Sequence, residues 1–218
     1  MPRPSTPART RKPSSTPLNR DRILDAAIRL IEQEGAGALS MRRLGSRLDV
    51  EAMAIYHHFT SRDELLSAMG DRLLQPLHDL APADDWRQAC RQFATALRNV
   101  AVARPASFQL LGLQPLDSLA SLRPVESLLT VLVGEGFSPA DALAIYRAIV
   151  SYARGYALAE ATGFTVDAAT PAGRRRLAAL SPAEFPILAG RTEEMAQVSA
   201  TSAYDLGLDA LLAGLAGP

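Results

Sequence analysis

Three observations predict an all-α protein. Apolar residues recur at helical spacing along most of residues 19–215, no segment sustains the period-two alternation of a half-buried strand, and the periodic stretches break at Gly, Pro and capping Ser or Asp residues. The first helix is predicted from Asn19 to Glu34, where Ile23, Ala27, Leu30 and Ile31 share one face and Gly35 stops the run. Ser40 is placed to cap a short second helix striped by Met41, Leu44 and Leu48, which leaves Arg42, Arg43 and Arg47 pointing elsewhere. The turn Leu48-Asp49-Val50 leads into a third short helix, Glu51 to His58, anchored by Ile55 and Phe59. Ser61 followed by Glu64 reads as a capping box for a fourth helix running through Leu65, Met69 and Leu73 toward Pro76.

The periodicity continues beyond Pro82. Asp84 or Asp85 can cap a helix through Trp86, Phe93, Leu97 and Val100 that must stop near Arg104, since Pro105 follows and can itself open a short helix. Val125, Leu128, Leu129 and Leu132 mark another helix, halted by Gly134 and Gly136. Ser138-Pro139 combines a capping residue with Pro at the first helical position and opens the longest helix, to about Ala161, apolar around much of its girth. Residues 163–200 read as a loop with short helices, including a second capping box at Ser181 and Glu184. The last helix, from about Thr201 to Leu215, repeats Tyr204, Leu208, Leu211, Leu212 and Leu215.

Composition narrows the function. The chain has 218 residues, 48% hydrophobic and 21% charged, so it can bury one or two cores. Its one cysteine, Cys90, cannot form an internal disulfide or pair with a second thiol at a metal, and a cytoplasmic location is expected. No apolar run reaches the roughly 18–20 residues of a membrane span, and the N-terminal residues are rich in Pro, Ser and Arg where a signal peptide carries an apolar stretch. The 23 basic and 23 acidic residues cancel overall but are unevenly placed. Residues 1–62 hold 11 basic and 6 acidic side chains, a balance of +5, whereas residues 81–218 hold 11 and 13. The basic end is therefore the candidate end for a polyanion. Residues 1–17, with five prolines and almost nothing apolar, are expected to form a disordered basic arm, which either contacts phosphates or serves as a solubilising tail.

Two short helices joined by a tight turn and flanked by longer ones form the pattern of a helix-turn-helix, whose second helix enters the DNA major groove. An ordinary helical bundle with a surface Tyr and His fits the spacing equally well. The residues go further than the spacing. The run Leu18 to Ala27, the segment Leu39-Ser-Met-Arg-Arg-Leu44, Tyr56-His-His-Phe59 and Arg62-Asp-Glu-Leu-Leu66 resemble the DNA-binding domain of the TetR family of bacterial repressors. The segment Tyr204 to Leu215 is similar to the last helix of the subclass around the tetracycline repressor. The resemblance implies a DNA-binding domain over residues 18–66, a ligand-binding and dimerisation domain over 67–218, and a homodimer released from operator DNA by a small molecule.

Carried over residue by residue, the resemblance makes Arg42 a base or phosphate contact and Arg43 a second, with Ser40 beside them. Ala52 and Met53 fall at base-reading positions, and Tyr56, His57 and Arg62 at backbone-contacting ones. Arginine can bind guanine bidentately, and Tyr, His and Arg can donate to phosphate oxygens. Ala and Met read only apolar features such as a thymine methyl, so DNA shape has to share in specificity. Where the family usually carries Gly in the turn, this chain has Asp49, a residue that tolerates the left-handed conformation better than most. His58 is assigned a packing or backbone role.

His78 matches a drug-contacting histidine of the tetracycline repressor. No histidine follows it in the sequence, and Phe93 replaces a polar drug-contacting Asn, which argues against a magnesium–tetracycline ligand; no metal and no cofactor are expected. The candidate pocket lining is Phe93, Leu97, Phe108, Leu111 and Trp86, with His78, Gln109 and Arg154 as orienting polar groups for a mostly apolar ligand. Each of the aromatics can equally be core. The long helix 139–161 and the final helix 201–215 are the expected dimer surface, an intersubunit four-helix bundle. The competing hypothesis is a small-molecule carrier or enzyme on the same fold without operator binding. His57 and His58 are its acid–base candidates, but no nucleophile or carboxylate orients them, and neither a phosphate-cradling Gly-rich loop nor an HExxH zinc motif occurs. No catalytic residue is assigned. An activator or protein-partner module on this fold is a third possibility.

Overall fold

The computed structural model describes residues 17–112, 118–164 and 166–215. All but one residue of the arm expected over 1–17 lies outside them. Every regular element among the described residues is a helix, and the chain divides into two compact units between Ala68 and Met69.

In the first unit, α1 (Arg20–Glu34) is capped by the Asn19 side chain, which accepts from the Arg22 N–H at 2.8 Å. Its buried face is the predicted one, Ile23, Ala27, Leu30 and Ile31. Against it pack α2 (Met41–Leu48), capped by Ser40, and α3 (Ala52–Tyr56), from which Ile55 enters the core with Phe59 just beyond. Each such large apolar side chain contributes roughly 1.5–3 kcal/mol on full burial, enough to hold helices too short to persist alone. The third helix is shorter at both ends than the Glu51–His58 expected. The fourth, α4 (Arg62–Leu73), begins as predicted with the Glu64 N–H on the Ser61 hydroxyl. The returning Glu64 carboxylate, however, bonds Thr60 rather than Ser61.

In the second unit, α5 (Trp86–Ala103) and α8 (Pro139–Thr162) form the most extensive helix pair. The buried face of α8 includes Ala142, Ala153 and Ala157, small residues that let α5 approach with Phe93 and Leu97. Around this pair lie α6 (Pro105–Leu111), α7 (Leu119–Gly134) and α11 (Ala200–Gly214). Two shorter helices, α9 (Pro171–Ala178) and α10 (Thr192–Met195), occupy the segment between α8 and α11. Two expectations need correction. Helix α7 starts six residues before Val125, capped by Ser118 and continuing through Pro124. The second capping box at Ser181 opens no helix: Ser181 accepts from Glu184 and Phe185 in a turn, and Pro186 then removes the next donor.

A polar knot ties three helices of this unit together. Arg98 of α5 is buried and donates from Nε and Nη2 to the two oxygens of Glu160 on α8, both at 3.0 Å, and from Nη2 to Thr201 of α11. Its guanidinium lies 4.9 Å from the ring centre of Tyr204. Tyr204 in turn stacks on Tyr152 and meets Tyr156 edge-on, and the hydroxyls of Tyr152 and Tyr156 donate to the α11 carbonyls of Tyr204 and Ala200, each at 2.7 Å.

Candidate DNA-binding motif and ligand cavity

The motif is built around the end of α2. Asp49 takes the left-handed conformation, φ 59° and ψ 42°, as the sequence led us to expect. The Asp49 and Val50 N–H groups both donate to the Gly45 carbonyl, closing α2 in the manner of a Schellman cap and turning the chain sharply into α3. Gly45 is what lets the two helices close. A Cβ there would stand 2.8 Å from the Val50 carbonyl oxygen and 3.2 Å from the Ala52 nitrogen, both backbone atoms that cannot rotate away.

The far end of α3 is held by a clasp that sequence reasoning missed. Arg20 lies over the Phe59 ring at 4.0 Å, donates to the His58 carbonyl, and pairs with Glu64 at 2.9 Å. Glu64 also accepts from the Thr60 N–H at 2.7 Å and from its hydroxyl at 2.8 Å. These bonds from Thr60, more than the charge of Arg20, hold the Glu64 carboxyl below the usual carboxylate range. Of the packing or backbone role expected of His58, the contact seen is made by its main-chain carbonyl.

The candidate contact residues fall into two groups. On α2, Arg43 and Arg47 both turn back to Glu34 of α1, and Arg47 also reaches Gln33 at 2.9 Å. Arg42, equally exposed, has no carboxylate partner among the described residues. The same holds for Arg62 at the start of α4. Met53 is 66% exposed and Tyr56 43%, although both are large and apolar-bodied, and Ala52 is half-buried beside them with His57 exposed. The Ser40 hydroxyl accepts from the Arg43 N–H at 3.2 Å, which leaves its own proton free for an outside acceptor.

In the second unit, a cavity of about 410 Å³ is bounded by the turn after α4, by α5 and by α7. Of the predicted pocket residues, His78 and Phe93 line it. Trp86 is instead packed edge-on against Phe137, centres 5.0 Å apart, and Arg87 lies over its ring at 4.2 Å. Leu97, Phe108 and Leu111 are buried, and Gln109 is exposed. Arg154, on α8, has a buried Nε without a hydrogen-bond partner. Gln92 and Arg123, which sequence reasoning did not select, line the cavity with His78. Gln92 stands three residues after Ala89, which also lines the cavity, a spacing that puts both on one face of α5; nothing local pointed to Arg123. Cys90 is buried, and burial together with the charge of Asp85 pushes its thiol up to about 12, so it remains a neutral packing group.

The sequence pattern of bacterial regulatory proteins of the tetR family matches residues 23–69, and that of the tetracyclin repressor-like C-terminal domain matches residues 79–217. The second match alone spans more than half of the chain. The protein belongs to the TetR family. An HTH-type transcriptional repressor of Mycobacterium tuberculosis is 28% identical over 219 residues, covering 95% of this chain and 84% of that protein. Among solved structures, a possible TetR family transcriptional regulator from Streptomyces coelicolor superposes with a TM-score of 0.73 at 28% identity, covering 90% of this chain and 98% of that one. The TetR family protein ActR of the same organism, in complex with (S)-DNPA, gives 0.68 at 25% identity, with 92% and 98% covered. This TetR-family chain is thus all-α, with a helix-turn-helix DNA-binding domain and a helical C-terminal domain, and is a transcriptional regulator. Among its described residues no cluster of His, Cys, Asp or Glu could hold a metal ion, and no helix is long and apolar enough to cross a membrane.

Proposed function

We propose that the protein is a homodimeric repressor that binds a pseudo-palindromic operator through α2 and α3 of each copy and leaves it when a small, mostly apolar molecule occupies the second unit. The observation that carries the DNA half is the contrast on α2: Arg43 and Arg47 share the single carboxylate of Glu34, while Arg42 has no carboxylate partner among the described residues, and Met53, Tyr56 and Arg62 are exposed. A cation left uncompensated beside a narrow helix suits phosphate and guanine contacts. In this reading Ser40, Arg43, Ala52 and His57 complete the contact surface, Arg43 by exchanging Glu34 for DNA. Exposed ion pairs are worth about 0–1 kcal/mol, so that exchange costs little.

Dimerisation is assigned to α8 and α11, whose outer faces expose Leu143 and Leu206 among alanines. A two-fold pair places recognition helices about 34 Å apart, one turn of DNA. The ligand half rests on the cavity beside His78 and Phe93, and on ActR, a relative whose structure holds a small molecule. Release requires that the ligand prefer the non-binding arrangement; moving the population from almost all bound to almost all free takes roughly 5.5 kcal/mol of differential affinity.

The test is the double substitution Arg42→Ala/Tyr56→Ala, assayed on the operator recovered by selection from random DNA. A good base or phosphate contact is worth about 1–3 kcal/mol, so the affinity should fall by roughly 100- to 1,000-fold with the helical content unchanged. Unaltered affinity would remove α2 and α3 from the interface.

A further inference from the structure

The polar lining of the second-unit cavity is one-sided. Four polar side chains line it, the His78 imidazole, the Gln92 amide, the Arg123 guanidinium and the Ser127 hydroxyl, and the last already donates to the Arg123 backbone carbonyl at 3.1 Å, which leaves three to serve as donors to a guest. None of the three side chains has a hydrogen-bond or ion-pair partner among the described residues. No carboxylate lines the cavity, and Asp79, Asp84 and Glu126, next in sequence to lining residues, are exposed outside it. The floor, by contrast, is buried and apolar, with Phe93 and Leu128.

We propose that the effector of this protein is an aromatic anion, a ring system bearing a carboxylate or sulfonate, seated with its rings on Phe93 and Leu128 and its charge on Arg123. This deepens the ligand-cavity reading above and rests on it. A volume of about 410 Å³ is that of a small-molecule site. Arg123 supplies up to five N–H donors in a plane that matches two acceptor oxygens, and a guest anion forms charge-assisted bonds there without displacing an internal partner. His78 and Gln92 donate to the free lone pairs of the same oxygens, or to the third oxygen of a sulfonate. A neutral guest accepts from the same donors but gains no charge pairing with Arg123, and the described residues offer no cluster of His, Cys, Asp or Glu for a chelated metal. The cation at the rim also distinguishes this cavity from a plain apolar pocket, which would favour neutral guests.

Two dyes of nearly equal shape separate charge from shape: 8-anilinonaphthalene-1-sulfonate and its uncharged counterpart N-phenyl-1-naphthylamine, titrated by fluorescence against the full-length protein. The anionic dye should bind saturably. Arg123→Gln should weaken it at least tenfold while moving the neutral dye less than twofold, and Arg123→Lys should fall between. Val131→Trp, which fills the cavity from a position already 37% exposed, should weaken both dyes. If Val131→Trp blocks both dyes but Arg123→Gln does not separate them, the anion assignment is overturned and the cavity reading stands. If only the neutral dye saturates, the anion assignment is likewise overturned and the cavity reading stands; if neither dye saturates, or Val131→Trp affects neither, the cavity reading falls and takes the anion assignment with it.

Discussion

Gly45→Val is expected to weaken operator binding by more than 100-fold while leaving the second unit folded. A glycine inside a helix ordinarily costs about 1 kcal/mol relative to alanine, so helix propensity by itself predicts a gain from replacing it. Close approach decides otherwise. The Val50 carbonyl oxygen and the Ala52 nitrogen, 2.8 and 3.2 Å from the position of a Cβ, belong to the turn and to the first residue of α3, and can yield only if α3 moves. A branched side chain adds two more carbons at that contact, for an overpacking cost of roughly 1–3 kcal/mol. The larger consequence is positional, because bidentate contacts tolerate little displacement of the helix that carries them. Gly70→Ala in α4 is the control, since its Cβ would meet nothing within 4 Å. That variant should bind normally and unfold at a slightly higher temperature. Operator affinity of Gly45→Val within threefold of the parent would show that α2 and α3 need not pack this closely.

Glu160→Ala should be the most damaging single change in the second unit. Arg98 is only 7% exposed and has Glu160 as its carboxylate partner, held by two bonds of 3.0 Å. Removing the acid strands a cation beneath Tyr156 and Tyr204, at a cost of about 3 kcal/mol. In a chain of this size that is a fall of roughly 10 °C in the thermal midpoint. The converse is as informative. Arg98→Met combined with Glu160→Leu removes both charges together and should recover most of the loss, because a buried ion pair adds little net stability over apolar residues of similar volume. Denaturant titrations of the three variants measure this, and a Glu160→Ala protein within 1 kcal/mol of the parent would mean that the tyrosines alone carry the cation.

Helices and their buried faces were legible because both depend on residues close in sequence. Ile23, Leu44, Ile55 and Tyr204 are all buried where periodicity put them. The errors came where a local signal was overruled. Pro124 reads as a boundary, but in α7 it is only six positions into the helix and is itself buried, so packing retains the turn and a half before it. Ser181 and Glu184 carry the right spacing for a helix start, but Pro186 removes a donor that the helix needs. For the site, residue types on α2 and α3 were readable, but which cations stay free was not. Glu34 lies nine residues before Arg43, and only the packing of α1 against α2 brings them together. The clasp of Arg20 on Glu64 and the meeting of Arg123 with His78 span 44 and 45 positions and have no local signature. Gly45 had one, a glycine within an otherwise helical stripe, whose meaning depends on what α3 does next.

Selection of bound sequences from a random duplex pool, at two salt concentrations, decides whether the protein reads a specific operator. A two-fold dimer of this geometry should recover a two-fold-related motif with half-sites about ten base pairs apart, at both concentrations. Retention of DNA without a motif, disappearing as salt rises, would contradict this and reduce the basic end of the chain to a non-specific polyanion surface.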